Sequence, residues 1–246
     1  MVQQQKPSDG ILECARYAFK PNQLNYCGPD KNSELAEYLK AGESDGGLRQ
    51  ILQKFETLYP YLKLIARSNK KEDAFDKKIS EAYWIGNDFL QNVKMTDLHG
   101  HLMDGLQLGK KISSDEREKI REKIPRGANA HHSFHVFNIW KRTGHIESPH
   151  TLFTMDECRI GWGKVEAVNA NIITVLYKPV IFENNKLAFG PVAAKNVFHE
   201  LSGRQVKTGD WISFHWSSFC DVISQEELKN LRHWTSLNLE LVNYAR

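Results

Sequence analysis

The periodicity of this chain changes once, near Ser148-Pro149, and that change limits its architecture more than any single motif. Before it, apolar residues recur at three- and four-residue steps. Leu48, Ile51, Leu52, Phe55, Leu58, Tyr59, Leu62 and Ile65 mark one face of a long helix, with a kink or break expected near Tyr59 because Pro60 lacks a backbone donor. "SELAEYLKA" predicts a helix capped by Ser33, with Glu34 and Glu37 at the end where the dipole favours negative charge. "KKISEAYWIGNDFLQNV" predicts another, and "SSDEREKIREKI" an exposed helix opened by a Ser/Asp cap. Beyond the change, short runs rich in β-branched and aromatic residues alternate with turns. "NIITVLYKPVIF" and "DWISFHW" are strand-like, Asn184-Asn185 marks a turn, and Ser202-Gly203 signals a hairpin between two short strands. "SQEELKNLRHWTSLNLELVNYA" returns to helix, with Ser224 as cap and Glu227 at the capping-box position. The expected fold class is α+β: a mostly helical domain over residues 1–150, then a small OB-like β-barrel with a closing C-terminal helix over 151–246.

Composition narrows the function classes. Hydrophobic residues make up 41% and charged residues 26%, with a net charge of +3 spread along the chain. That balance makes no general case for a nucleic-acid or membrane partner. No apolar run reaches the roughly 18–20 residues that span a bilayer. "MVQQQKPSDG" lacks the apolar core of a signal peptide, so a soluble cytoplasmic protein is expected. Four cysteines without small-scaffold spacing read as reduced thiols, each either buried filler or a chemical group. GxxxxGK[ST] and GxGxxG patterns do not occur and no strand-to-helix GxSxG elbow is present, so no motif supports nucleotide use or serine hydrolysis. The aromatic group Trp211, Phe214, Trp216 and Phe219 suggests base stacking. Strand alternation, however, puts Trp211 and Ser213 on one face with His215, and Ile212, Phe214 and Trp216 on the other, which reads as core. Without interleaved basic residues, nucleic-acid binding is set aside.

Two segments carry a family resemblance. "CRIGWGKV", from Cys158 to Val165, resembles the opening of the HypC/HupF hydrogenase maturation chaperones: a cysteine, a few small or apolar residues, a proline, then Gly-Lys-Val. "VKTGDWISFHW" resembles that family's second signature, with Val206, Lys207, Gly209, Asp210, Trp211 and His215 at matching positions. The resemblance covers residues 156 to about 230. It implies an OB-like barrel in which Cys158 and His215 hold or hand over iron bearing cyanide and carbon monoxide, for a client or scaffold protein of nickel–iron hydrogenase assembly. A thiolate suits low-valent iron, and a neutral imidazole can complete the attachment. Arg159 and Lys164 are candidates for raising the thiolate fraction. The pattern departs from the family in two ways. Cys158 is internal, so no free α-amino group stands beside it, and Trp162 replaces the usual proline.

A second constellation lies in the helical half. "ANAHHSFHVF" carries His131, His132 and His135, of which His131 and His135 are four residues apart, which places them on one helix face. "TDLHGHLMDG" adds Asp97, His99, His101 and Asp104. Together they suggest an iron or zinc site, and a metalloenzyme or metal-binding protein as the alternative reading. In that reading the barrel is an interaction module. Ordinary turn-capping and interface roles account for the same histidines. Cys27, in a Gly-Pro turn, is either a third thiol near a site or a packed turn residue, Cys14 reads as core, and Cys220 reads as sealing the barrel.

Overall fold

The computed structural model describes residues 9–139, 150–199, 201 and 203–244. The expected boundary at Ser148-Pro149 and Ser202 of the expected hairpin lie outside those residues. The fold is α+β, with eleven α-helices and seven strands among the described residues. The helices are α1 (Gly10–Gln23), α2 (Asn32–Ala41), α3 (Gly46–Gln53), α4 (Leu58–Ser68), α5 (Lys77–Trp84), α6 (Met95–Gly100), α7 (Leu108–Lys111), α8 (Ser114–Lys123), α9 (His132–Phe134), α10 (Leu152–Cys158) and α11 (Gln225–Tyr244). The strands are β1 (Gly161–Asn169), β2 (Ile172–Tyr177), β3 (Val180–Glu183), β4 (Lys186–Phe189), β5 (Ala193–Phe198), β6 (Trp211–His215) and β7 (Ser218–Val222).

Local chemistry moves several helix boundaries from where periodicity puts them. The apolar face from Leu48 to Ile65 belongs to two helices, α3 and α4, separated at Lys54–Thr57. Pro60 does not kink a continuous helix. It sits in the first turn of α4, where a missing N–H leaves no intrahelical carbonyl unpaired. Ser33 is not a cap either, because α2 starts one residue earlier and its Lys31 cap makes no side-chain bond. The expected helix from Lys77 ends at Trp84, where Gly86 takes a φ of +94°. A Cβ there would lie 2.0 Å from Trp234, so glycine is what lets α11 approach. The capping boxes are clean: Ser113 with Glu116 opens α8, and Ser224 with Glu227 opens α11.

Five strands close into a barrel in the order β1-β2-β5-β7-β6, all antiparallel except the β5–β7 contact, as an OB-like barrel closes. β3 and β4 form a separate hairpin around Asn184-Asn185, both at positive φ. The expected hairpin around Gly203 does not form. β5 pairs with β2 and β7, and among the described residues no strand occurs between Phe198 and Trp211.

The barrel is buried on two sides. Val165, Ile173, Val175, Val197, Ile212, Phe214 and Phe219 fill its interior. Gly161 and Gly163 face inward on β1, where added Cβ atoms would meet Phe214 at 2.1 Å and Val175 at 2.7 Å. The outer faces of β6 and β7 pack on α1: Tyr17 bonds Ser213 at 2.8 Å, and Arg16 pairs with Asp221 at 2.8 Å. Trp162, Cys220 and Ile223 thus share a core with helical residues such as Leu35, Leu62 and Tyr83.

Candidate metal centre

Three chain segments meet where the barrel touches the helices. Cys158 is the last residue of α10, His215 the last of β6, and His132 the first of α9. The backbone brings the first two together. Trp216 N–H donates to the Glu157 carbonyl at 2.9 Å, joining the residue after His215 to the residue before Cys158. The Glu157 side chain reinforces the join by accepting from Ser217 Oγ at 2.7 Å and from Lys195. His132 is tied in through Nε2, which lies 2.9 Å from the Cys158 carbonyl.

One ligand atom each from His132, Cys158 and His215 lies within 4.8 Å of the others. No other group of three or more histidine, cysteine or acidic ligand atoms gathers this way among the described residues. Hydrogen bonds set the ring orientations. His215 Nδ1 lies 2.6 Å from the Tyr17 carbonyl and must donate to it, leaving the Nε2 lone pair buried and without a hydrogen-bond partner. His132 Nε2 donates to Cys158, so its Nδ1 accepts from the Tyr83 hydroxyl at 3.1 Å. Burial lowers the His215 pKa to about 4 and holds His132 well below the usual imidazole range, with the neighbouring His215 adding to the effect. Both rings are therefore neutral near pH 7, the form that ligates metals. A carbonyl acceptor fixing one ring nitrogen while the other faces inward is the usual support for a ligating histidine. An orphaned buried Nε2, a thiol and a second imidazole make a donor set of the kind that ligates one soft or borderline ion.

The centre faces a hollow of about 70 Å³ with largely apolar walls, including Phe55, Leu58, Trp84 and Val136. Cys27, Tyr83, His135 and His150 also line it. Tyr26 stacks on Trp216 at 4.4 Å between ring centroids, next to Cys27. All four cysteines are thiols, Cys14 and Cys220 among them deeply buried.

The structure distributes the other expected site residues elsewhere. His131 caps α9, its Nδ1 accepting from Ser133 N–H. It does not share a helix face with His135, because the chain becomes helical only at His132 and changes to a π-turn over His135–Ile139. His135 reaches the hollow and meets Tyr61 edge-on. His101 packs against Tyr61 at 4.4 Å but does not line the hollow, and His99 is half-buried on α6. Asp97 and Asp104 are exposed. Arg159 is buried, bonds Asp156 and the Lys178 carbonyl, and lies over the rings of Trp162 and Phe189. Lys164 is exposed on the outer face of β1. Arg159 is thus engaged with Asp156 and the Lys178 carbonyl, and Lys164 lines a different hollow from Cys158.

His132 is the member of the cluster that sequence reasoning counts among the helical-half histidines and does not join to Cys158 and His215. Helical spacing favours its neighbours 131 and 135, and the signal that separates them, the start of α9 between His131 and His132, is a backbone event. Tyr17 and Tyr83, which orient the imidazoles, give no signal beyond an apolar stripe.

Among the described residues no helix is long and apolar enough to cross a membrane. A family model described as a family of unknown function, DUF6390, matches residues 6–246. No curated protein and no solved structure matches the chain.

Proposed function

The chain belongs to the DUF6390 family, whose description assigns no activity, and we propose from the site itself that it binds a metal ion through His132, Cys158 and His215. A fourth position would open toward the apolar hollow. The observation that carries the reading is the convergence of these ligand atoms within 4.8 Å, two of them neutral imidazoles already oriented by backbone carbonyls. One thiolate with two imidazoles suits iron, zinc or copper better than a hard cation.

The finer reading is that the metal is iron, carried as a cyanide- and carbonyl-bearing fragment for a client of hydrogenase assembly. Its support is that Cys158 and His215, the pair nominated by the HypC/HupF resemblance, stand together beside a hollow of mainly apolar lining. A resident zinc or iron serving catalysis is the competing use of the same centre.

Anaerobic purification with metal analysis tests the coarse reading. One metal per chain is expected, lost on Cys158→Ala, His132→Ala or His215→Ala and kept on His99→Ala. Metal that survives all three ligand substitutions overturns it. Infrared spectra of protein from cells that make hydrogenase cofactors test the finer reading: cyanide and carbonyl stretches support it, and their absence from metal-loaded protein removes it.

A further inference from the structure

We propose that a hollow on the outer side of the barrel, distinct from the one at the metal centre, binds a nucleotide unit, a planar base carrying phosphate. The hollow measures about 510 Å³ and shares no lining residue with the one at Cys158. Its floor follows from strand register. Lys164 on β1 pairs with Leu176 on β2 and with Trp211 on β6, so these three form a row across the sheet. Trp162 precedes Lys164 by two residues and faces the same way, and Phe189, edge-on to Trp162 at 5.5 Å between ring centroids, completes the aromatic wall.

Positive charge arrives from three separate elements. Lys164 projects from β1, Lys178 follows β2, and Arg232 comes from α11 to lie 4.8 Å over the Trp211 ring. None of the three belongs to an ion pair among the described residues. The carboxylate of Asp156, nearby on α10, is already committed to Arg159, the Val180 N–H and the Tyr177 hydroxyl. An aromatic wall stacks a base of any identity, and cations set around it receive the phosphate. Sequence alone sets base stacking aside because no basic residues interleave the aromatics from Trp211 to Phe219. The fold supplies them from elsewhere in the chain.

Base and phosphate come either from a free mononucleotide or from a single strand. Calorimetric titration of the full chain at low salt distinguishes them, with AMP, oligo(dT) and inorganic phosphate as probes. Saturable AMP binding is expected, weakened about tenfold or more by the double variant Lys164→Ala/Arg232→Ala, since each lost charged contact to phosphate is worth a sizeable part of such a factor. Oligo(dT) binding that tightens with strand length and exceeds AMP identifies a strand; AMP binding at least as tight as oligo(dT) identifies the free nucleotide. The proposal is overturned by no saturable binding of either, by inorganic phosphate binding as tightly as AMP, or by a double variant that binds like wild type. If the double variant melts early, Lys178→Glu decides: it must weaken AMP binding, and unchanged affinity overturns the proposal. Metal content is read on the same samples, so loss of the metal reading leaves this result standing.

Discussion

At the scale of single residues, the candidate centre is held by hydrogen-bond partners that no ligand-spacing rule includes. Tyr17 offers only a backbone carbonyl to His215, and any residue at position 17 would offer the same. Tyr83 is different, because its hydroxyl donates to the His132 nitrogen that would meet a metal. Metal binding through Nδ1 displaces that hydrogen bond. Tyr83→Phe leaves a buried Nδ1 without a donor in the metal-free protein, at a cost of about 1–3 kcal/mol. The expected outcome is a lower Tm without metal and a metal affinity raised about fivefold, since roughly 1 kcal/mol of competition is removed. Thermal melts and competitive metal titrations of the two proteins measure both, and an unchanged or weaker affinity would show that Nδ1 is not the ligating atom. Cys158 and His215 are legible from sequence through two short motifs. The sequence offers His132 only as one of several helical-half histidines; its place beside that pair, rather than His131's, depends on where one helical turn begins.

At the scale of elements, legibility follows how local the determining chemistry is. The α11 start is readable because a serine and a glutamate three positions apart satisfy each other's backbone donors without help from the rest of the fold. Ser224→Ala should therefore cost about 1 kcal/mol, measured by urea denaturation with an unchanged m-value. Asn184-Asn185 is readable for the same reason: both tolerate the positive φ of a tight hairpin. The split between α3 and α4 is not, since Pro60 is compatible with either a kink or a first turn and the register of α4 decides. The absent hairpin at Gly203 shows the opposite limit. β5 finds its partners in β2 and β7, and β6 finds its own in β1 and β7, so sequence neighbours are not sheet neighbours there.

At the scale of the whole molecule, alternation along β6 suggests one core face and one open face, whereas both are buried. Ile212 and Phe214 fill the barrel, while Ser213 and His215 face α1. That second interface carries buried charge. Glu13 on α1 has its carboxyl pKa raised to about 8, chiefly by burial, against the pull of Arg16 and Ser80 and with Asp221 and Glu81 adding to the rise. Asp221 is also raised by burial, partly offset by Arg16 and Arg204. Between the ordinary glutamate pKa of 4.5 and about 8, folded Glu13 keeps a proton that the unfolded chain has released. The unfolded state then binds fewer protons, so stability falls as pH rises through this window, and the full penalty is present above about pH 8. Glu13→Gln removes the titration and retains the neutral shape. Its stability should match wild type near pH ~4 and exceed it near pH ~9 by on the order of 2–5 kcal/mol, since each tenfold change in proton affinity is worth about 1.4 kcal/mol. Urea titrations of both proteins across that range check it; parallel pH profiles would mean that the α1–barrel interface admits enough water to leave Glu13 charged in the fold.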